Sequence, residues 1–234
     1  MRLAEIRTYP IKSLLGESVQ TATIERRGLA GDRLWAVRDH DGKLGSGKDS
    51  RRFRRMPGLL SLRGHSGERV PVVELPEGRH YDADDPAGHA AVSEFLNRTV
   101  TISRETDVVH HDDGPVSIVS TGALERLHAI MGEPVDARRF RANLLVDGAG
   151  AGFVEDTWIG RTLAIGPDVV LVPQKRLTRC VMIDMAQDGL GLPDDGRLLK
   201  TLSRHNEMTF GVWATVERPG TISVGDRCVL ADVP

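Results

Sequence analysis

Polar and apolar residues alternate with a period of two along much of the chain. The alternation is clearest in three segments rich in β-branched residues, at 19–24, 99–102 and 209–216. Because successive side chains of a strand point to opposite faces, this pattern predicts half-buried β-strands. Shorter, predominantly apolar runs lie at 34–37, 143–146 and 169–172. Such runs are typical of strands buried on both faces.

Helical spacing of apolar residues is confined to three segments. Asp85 precedes Pro86, a capping residue followed by proline at the first helical position, and predicts a helix that runs to about Asn97. A second helix is predicted to begin at residue 120 or 121 and to end at Gly132. A third is predicted over 195–205.

The order of these elements predicts a β-rich α+β fold, because strands, a helix and further strands follow one another without a βαβ repeat. The 234 residues are enough for one elaborate domain or two interlocked ones. A polar stretch at 104–115 separates apolar segments with turn-forming residues. We therefore predict two domains, at 1–108 and 109–234.

The composition is that of an ordinary globular chain, with 40% hydrophobic and 27% charged residues. No apolar run approaches the roughly 18 residues of a membrane span. The N-terminus, MRLAEIRTYPIK, lacks the apolar core of a secretory signal. Cys180 and Cys228 are too few for a disulfide framework. The sequence predicts a cytoplasmic protein that is not bound to a membrane.

A basic run made of Arg51, Arg52, Arg54 and Arg55 is the main charge cluster of a chain whose net charge is −2. Nucleic-acid binding is not expected, because aromatic residues that could stack on bases are only 4% of the chain and Phe53 alone lies among the four arginines. The run indicates a solvated loop, with contact to a phosphate group as the alternative.

Two polar motifs are interpreted as loops. The glycine-rich segment 147–152 is not followed by the helix that a dinucleotide-binding loop requires. The segment 110–113, with sequence His-His-Asp-Asp, has ligand-type side chains, but neighbouring residues of an extended chain point to opposite faces. We expect a solvent-exposed turn there. The sequence also contains no Gly-x-Ser-x-Gly elbow of a serine hydrolase.

Cys180 is the candidate for chemistry. It follows Lys175, Arg176 and Arg179, and nearby cations stabilise a thiolate, which is the nucleophilic and metal-binding form. A buried, inert cysteine at a strand end has the same pattern, and the residues alone favour it. Cys228, in the last predicted strand, is interpreted as inert.

Several motifs carry a resemblance to a known family. The segments 9–13 (Tyr-Pro-Ile-Lys-Ser) and 27–35 (Arg-Gly-Leu-Ala-Gly-Asp-Arg-Leu-Trp) resemble the N-terminal β-barrel that precedes MOSC domains. The MOSC domain itself is resembled by segments at 139–143, 155–160, 178–180, 210–213 and 219–226. The resemblance implies a MOSC-type β-barrel with an N-terminal β-barrel subdomain and a few short helices.

The resemblance also implies a ligand. MOSC domains are named for the C-terminal part of molybdenum cofactor sulfurases, and they form the core of the mitochondrial amidoxime-reducing component and its bacterial relatives. It implies that this chain binds the molybdenum cofactor, Mo-molybdopterin. Carried over by motif, the binding residues are Lys12, Ser13, Arg33, Ser120, Thr121, Arg141, Asn143, Thr178, Arg179 and Cys180. With Mo as a strong local charge, Cys180 is expected to ligate the metal and to be the catalytic residue.

Three functions remain open at this point. The first is a molybdenum-dependent oxidoreductase that acts on small substrates, N-hydroxylated compounds among them, with a separate electron-donor protein because no cysteine-rich module follows Cys228. The second is a non-catalytic carrier of the cofactor, or of sulfur on Cys180. The third is a binding module for another phosphorylated ligand.

Overall fold

Strands dominate the fold. The computed structural model describes residues 1–232, so the last two residues of the predicted 109–234 domain lie outside the described residues. Within this range the α-helices are α1 (Pro86–Phe95), α2 (Thr121–Met131) and α3 (Leu198–His205). The strands are β1 (Arg2–Thr8), β2 (Ile11–Lys12), β3 (Glu17–Val19), β4 (Thr21–Glu25), β5 (Gly28–Leu29), β6 (Trp35–Asp39), β7 (Leu44–Ser46), β8 (Phe53–Arg55), β9 (Arg63–His65), β10 (Val72–Glu74), β11 (His80–Asp82), β12 (Val100–Arg104), β13 (Val116–Ser120), β14 (Leu144–Asp147), β15 (Thr162–Ile165), β16 (Val169–Thr178), β17 (Thr209–Arg218), β18 (Gly220–Ser223) and β19 (Cys228–Ala231). The prediction of a β-rich α+β fold is confirmed.

The largest sheet joins the two ends of the chain. Its eight strands lie in the order β19-β15-β16-β17-β13-β14-β1-β3. β1 and β3, from the first half of the chain, thus complete a sheet whose other six strands come from the second half. β1 pairs antiparallel with β14, with Arg2 opposite Asp147. Leu3 and Ile6 of β1 are fully buried in the core of this sheet, together with Trp158. The predicted domain 1–108 therefore contributes strands to the main sheet of the predicted domain 109–234, so the two are interlocked.

The first half has a smaller core of its own. A five-stranded sheet has the order β12-β6-β7-β8, and β2 pairs in parallel with β6. Ile11, Val37 and Met56 are buried in a cluster on this sheet, against which the buried face of α1 packs. A third sheet again crosses the halves, because β18 pairs with β4 and β4 with β5. The fourth sheet is β11-β10-β9.

Capping side chains explain where two helices begin. An Asp85 side-chain oxygen accepts a hydrogen bond from the Ala87 N–H (2.8 Å) at the start of α1. The Ser120 hydroxyl accepts one from the Ala123 N–H (3.0 Å) at the start of α2, which ends at Gly132 with φ 76°. Both predicted helices are confirmed, since capping groups satisfy the free backbone donors and acceptors at helix ends.

Two predicted boundaries are wrong by a few residues. The third helix begins at Leu198, three residues after the predicted Asp195, because the carboxylate of Asp184 accepts the Leu198 N–H (2.9 Å) and acts as a cap from outside the helix. The strand predicted at 19–24 is interrupted at Gln20. There the chain leaves the large sheet, where β3 pairs with β1, and enters the sheet in which β4 pairs with β18.

None of the helices among residues 1–232 has the length and apolar character required to cross a bilayer.

Candidate functional site

A cavity of about 130 Å³ opens where the N-terminal motifs meet the large sheet. Eight of the ten residues predicted to bind the cofactor line it: Lys12, Ser13, Arg33, Arg141, Asn143, Thr178, Arg179 and Cys180. They come from segments that are more than 100 residues apart in the chain. We call this cavity, with these eight residues, the main cavity.

Ser120 and Thr121, the other two predicted binding residues, are not in its wall. Ser120 is fully buried, and besides capping α2 its hydroxyl donates a hydrogen bond to Glu155 Oε2 (2.6 Å). Thr121 Oγ1 donates to Asp147 Oδ1 (2.8 Å). Both hydroxyls thus hold the start of α2 against its neighbours, and the structure does not bring them together with the other eight residues.

Three residues of the main cavity have a left-handed backbone. The φ angles are 67° for Ser13, 50° for Arg33 and 52° for Arg141. Residues other than glycine rarely adopt this region, and each such residue costs of order 1–3 kcal/mol. Glycine would remove the strain but also the side chain. Strain of this kind clusters at functional sites, and here it is found at three of the eight residues.

Tyr9 lies between the two arginines at the cavity. Its ring centroid is 4.6 Å from the guanidinium carbon of Arg33 and 4.4 Å from that of Arg141, within cation–π range. Arg33 Nη2 also donates to the carbonyl of Arg141 (2.9 Å), and its Nη1 pairs with the buried Asp32. Burial by itself would lower the pKa of Arg33, but the Asp32 carboxylate reverses the direction and the pKa is raised. Arg33 is therefore a fixed cation.

Arg141 and Arg179 are held by carbonyl groups. Arg141 Nη1 donates to the carbonyl of Leu14 (2.6 Å), and Arg179 donates to those of Phe140 (2.9 Å) and Phe210 (2.8 Å). Burial lowers the pKa of each to about 10. Within residues 1–232 neither forms a salt bridge with a carboxylate. Their positive charge is thus left for an anion that enters the cavity.

Lys12 is the most deeply buried cation of the site, with 3% of its side chain exposed. Its Nζ lies 2.6 Å from Asp112 Oδ1, whose side chain is 67% exposed. Burial lowers the pKa of Lys12 to about 8, although Asp112 acts in the opposite direction. The ammonium group is mostly protonated at pH 7, and an entering anion would compete with the exposed Asp112 for it.

The two cysteines differ in exposure and in position. Cys180 is half-buried, follows the end of β16, and lies in the wall of the main cavity just before a 3-10 turn at Val181–Ile183. Cys228 is 2% exposed, and burial raises the pKa of its thiol to about 11. A protonated, enclosed thiol is a poor metal ligand and a poor nucleophile. Of the two thiols, that of Cys180 is the one in the wall of the main cavity.

The histidines of the 110–113 segment correct an expectation. His110 is fully buried and His111 is 9% exposed, so the prediction of a solvent-exposed turn is wrong for both. The His110 ring lies between the Arg33 carbonyl (3.2 Å from Nδ1) and Arg38 (2.8 Å from Nε2). Burial lowers the pKa of each histidine to about 4, so both rings are neutral at pH 7. They pack behind Arg33 and serve as structural residues.

Several residues at the site were missed by the sequence reasoning. Tyr9, Arg139 and Trp213 lie inside the motifs that carried the resemblance, but their side chains were given no role. Asp112 was interpreted from the sequence only as part of an exposed turn, because only the fold places it beside Lys12. Trp213 Nε1 is buried in the cavity wall without a hydrogen-bond partner among residues 1–232. Such a donor indicates that the bound ligand offers an acceptor.

The donor set of the main cavity fits a molybdopterin ligand. Five buried or half-buried cations, the unpaired indole N–H and an amide from Asn143 suit a phosphate and a polar ring system. A single thiol suits a soft metal that brings its other ligands with it. Over residues 1–232 no group of three or more His, Cys, Asp or Glu side chains could hold a metal ion by itself.

Glu155, behind the cavity, gives a pH-dependent prediction. It is fully buried, its Oε1 has no partner among residues 1–232, and burial raises the pKa of the carboxyl from 4.5 to about 7. The folded state favours the neutral acid, so this contribution to stability is complete below pH 4.5 and is lost as pH rises toward 7. One pKa unit corresponds to about 1.4 kcal/mol, so the loss is of order 3 kcal/mol.

Glutamine at position 155 does not titrate. The difference in free energy of unfolding between Glu155→Gln and the natural protein is therefore expected to shift by about 2–3 kcal/mol in favour of the variant between pH 4.5 and pH 7.5. Urea unfolding of both proteins at several pH values measures this change. Glu125→Gln, at an exposed position of α2, serves as the control and is expected to show a flat difference. A flat difference for Glu155→Gln as well would contradict the raised pKa.

Comparison with known proteins agrees with this geometry. A family model described as "MOSC domain" matches residues 105–229, and one described as "MOSC N-terminal beta barrel domain" matches residues 1–80. The chain is 28% identical to "Mitochondrial amidoxime reducing component 2" of Bos taurus, over 96% of this chain and 81% of that protein. It is 29% identical to "Mitochondrial amidoxime-reducing component 1" of Homo sapiens, over 97% and 82%.

Two further similarities are more limited. The chain is 24% identical to "Molybdenum cofactor sulfurase" of Oryza sativa subsp. japonica, over 93% of this chain but only 33% of that protein. The crystal structure of the YUAD protein from Bacillus subtilis superposes with a TM-score of 0.56 at 17% identity, over 100% of this chain and 96% of that one. This last similarity concerns the fold alone.

Proposed function

The chain belongs to the MOSC domain family, and from this premise we propose that it binds the molybdenum cofactor in the main cavity with Cys180 as the protein ligand to the metal. The observation that carries the proposal is the convergence of Lys12 and Arg33, from the first half, with Arg141 and Cys180, from the second half, on one cavity. Cations from four segments surround one half-buried thiol, and this combination suits an anionic ligand that carries a soft metal.

The residues divide the work by their chemistry. Arg33 and Arg141 offer planar, bidentate donors, and Lys12 adds a point charge, so these three would bind the phosphate and the other negative groups of the cofactor. Asn143, whose Oδ1 accepts from Ser117 Oγ (2.8 Å), holds the backbone of that segment in place. When bound, the metal supplies the redox chemistry, and the protein supplies position and charge.

For the reaction, we propose a molybdenum-dependent oxidoreductase that acts on small substrates, including N-hydroxylated compounds. The relatives named amidoxime reducing components support this choice, because the alignment spans more than four fifths of each one. The electrons would come from a separate donor protein. Both cysteines are free thiols, which supports a location in the cytoplasm.

Two other functions have an observation in their favour. A carrier of the cofactor, or of sulfur on Cys180, is supported by the partial accessibility of this cysteine and by the similarity to a relative named molybdenum cofactor sulfurase. A module for another phosphorylated ligand would use the same cations and leave Cys180 without a role. Stoichiometric release of cofactor to an acceptor enzyme, without turnover, would favour the carrier.

The proposal is tested by the content of the purified protein. Expressed in a bacterium that makes the cofactor, the protein is expected to contain close to one equivalent each of molybdenum and pterin, measured by mass spectrometry of the metal and by the fluorescent oxidation product of the pterin. The same sample, given a chemical reductant and an N-hydroxylated amidine, is expected to turn the substrate over. Protein purified with neither molybdenum nor pterin, from a host in which other molybdoenzymes are loaded, would refute the binding proposal.

A further inference from the structure

A second cavity, of about 190 Å³, adjoins the main cavity at Arg141. Four arginines contribute to its wall: Arg7, Arg63, Arg138 and Arg141. Gln187, in the loop before a 3-10 turn at Asp188–Leu190, also lines it. We call it the arginine cavity. Arg141 is the one residue of this wall that the main cavity shares.

Gln187 is the unusual residue of this cavity. It has no exposed surface, and its backbone N–H is bonded to the carbonyl of Leu192 (2.8 Å). Its side-chain Oε1 and Nε2, by contrast, have no hydrogen-bond partner anywhere in residues 1–232. A buried amide without partners is costly, and native proteins pair almost all such groups. The side chain therefore requires a partner in the cavity that offers both an acceptor and a donor.

The charges around the cavity are only partly neutralised by the protein. Arg7 pairs with Glu5, and Arg138 pairs with Asp136. In the described chain, the Arg63 side chain donates hydrogen bonds to two carbonyl groups, those of Gly16 (3.1 Å) and Gly189 (3.0 Å), and to no carboxylate.

Arg141 is likewise bonded to a carbonyl, that of Leu14. One carboxylate, that of Glu17, is also in the wall, but it is engaged by Thr8, Ser66 and His65. Two arginines are thus available for an anion.

We propose that the arginine cavity is a binding site for a small oxyanion that itself carries a hydrogen-bond donor, of the class of hydrogenphosphate or a short 2-hydroxycarboxylate. Arg63 and Arg141 bind the negative oxygens, and Gln187 Nε2 donates to one of them. Gln187 Oε1 accepts a hydrogen bond from the hydroxyl group of the ligand. The volume is more than ten times the roughly 10–15 Å³ that one ordered water requires, so the cavity has room for such a molecule.

Arg141 lines both cavities, but the test requires no bound cofactor and uses the ¹⁵N-labelled full-length protein. Its side-chain amide signals are assigned and then followed during titration with sodium phosphate, glycolate or sulfate at constant ionic strength. Phosphate or glycolate is expected to shift the Gln187 amide signal, and the one that binds more tightly identifies the ligand class. Sulfate lacks a donor for Oε1 and is expected to bind at least about tenfold more weakly, since a hydrogen bond to a charged group contributes about 1.5–3 kcal/mol.

Variants separate this site from the main cavity. Gln187→Leu is expected to weaken the binding that phosphate or glycolate shows by calorimetry by about tenfold or more. Lys12→Met, which alters only the main cavity, is expected to leave this affinity unchanged. Gln174→Leu, at an exposed glutamine of β16, is the matched control and is expected to bind like the natural protein.

Three results would overturn the proposal. The first is a Gln187 amide signal in the natural protein that none of the three ions shifts, a measurement that does not depend on any variant folding. The second is equal binding of sulfate and phosphate at this signal. The third is binding lost in Lys12→Met and kept in Gln187→Leu, which would assign the anion to the main cavity.

Discussion

In Cys180→Ala we expect a folded protein that still contains the pterin but whose molybdenum has lost its protein sulfur and whose redox activity is abolished. Cys180 is the half-buried thiol in the wall of the main cavity, and Cys228, the other thiol of residues 1–232, is buried. The cations that surround the cavity remain, so they continue to bind the anionic part of the cofactor. X-ray absorption at the molybdenum edge counts the sulfur atoms around the metal and measures the change directly.

The matched control for this experiment is Cys228→Ala. Cys228 is buried in β19 beyond the reach of any ligand, so its replacement removes a little packing and is expected to leave the metal and the activity unchanged. Circular dichroism and thermal unfolding of both variants confirm that they fold. An unchanged sulfur shell in Cys180→Ala, or the loss of one sulfur in Cys228→Ala, would show that the ligand has been assigned to the wrong residue.

The second large effect is expected at Arg141, where binding and stability should change in opposite directions. Arg141→Ala removes a charge-assisted contact to the cofactor, which contributes about 1.5–3 kcal/mol, and so is expected to weaken cofactor retention by roughly 10–100-fold. The same change removes a half-buried cation that forms no salt bridge in the described chain, and the cofactor-free protein is expected to become more stable at pH 7.

Arg141→Gly sharpens this test. Glycine adopts the left-handed backbone at this position (φ 52°) without strain, so Arg141→Gly is expected to be more stable than Arg141→Ala by about 1 kcal/mol while retaining as little cofactor. Arg51→Ala, at an exposed position of the basic run, is the control and is expected to change neither quantity. Urea unfolding and the pterin content of the purified proteins are the two measurements. Full cofactor content in both Arg141 variants would remove the case for a specific phosphate contact.

The sequence predicted the parts of this molecule that depend on local patterns. Helices α1 and α2 were placed correctly because their capping residues, Asp85 and Ser120, act over three residues. α3 was misplaced because its cap, Asp184, lies 14 residues before the helix. The resemblance placed eight of ten candidate residues at one cavity, although no local rule could show that residues 12 and 180 meet.

The remaining features depend on the packing of distant segments. The burial of His110 depends on Arg38 and Arg33, and that of His111 on Arg27, which the fold places beside them. Asp112 became part of the site through Lys12, 100 residues earlier. Gln187 looks like a surface residue in the sequence, since a glutamine next to Asp188 and Gly189 is typical of an exposed turn. Side chains whose environment comes from other parts of the chain cannot be assigned from their neighbours in sequence.

The interlocked large sheet has a consequence for synthesis on the ribosome. β1 is made before β3 and β14, the two strands that flank it in the sheet. It lacks this pair of neighbours until β14, which ends at Asp147, has left the exit tunnel. At roughly 5–20 residues per second, this interval is on the order of ten seconds or more. During that time the apolar face of β1, with Leu3 and Ile6, and one hydrogen-bonding edge lack their native cover. β1 is therefore a natural binding segment for a holding chaperone until β14 has been made and can pair with it.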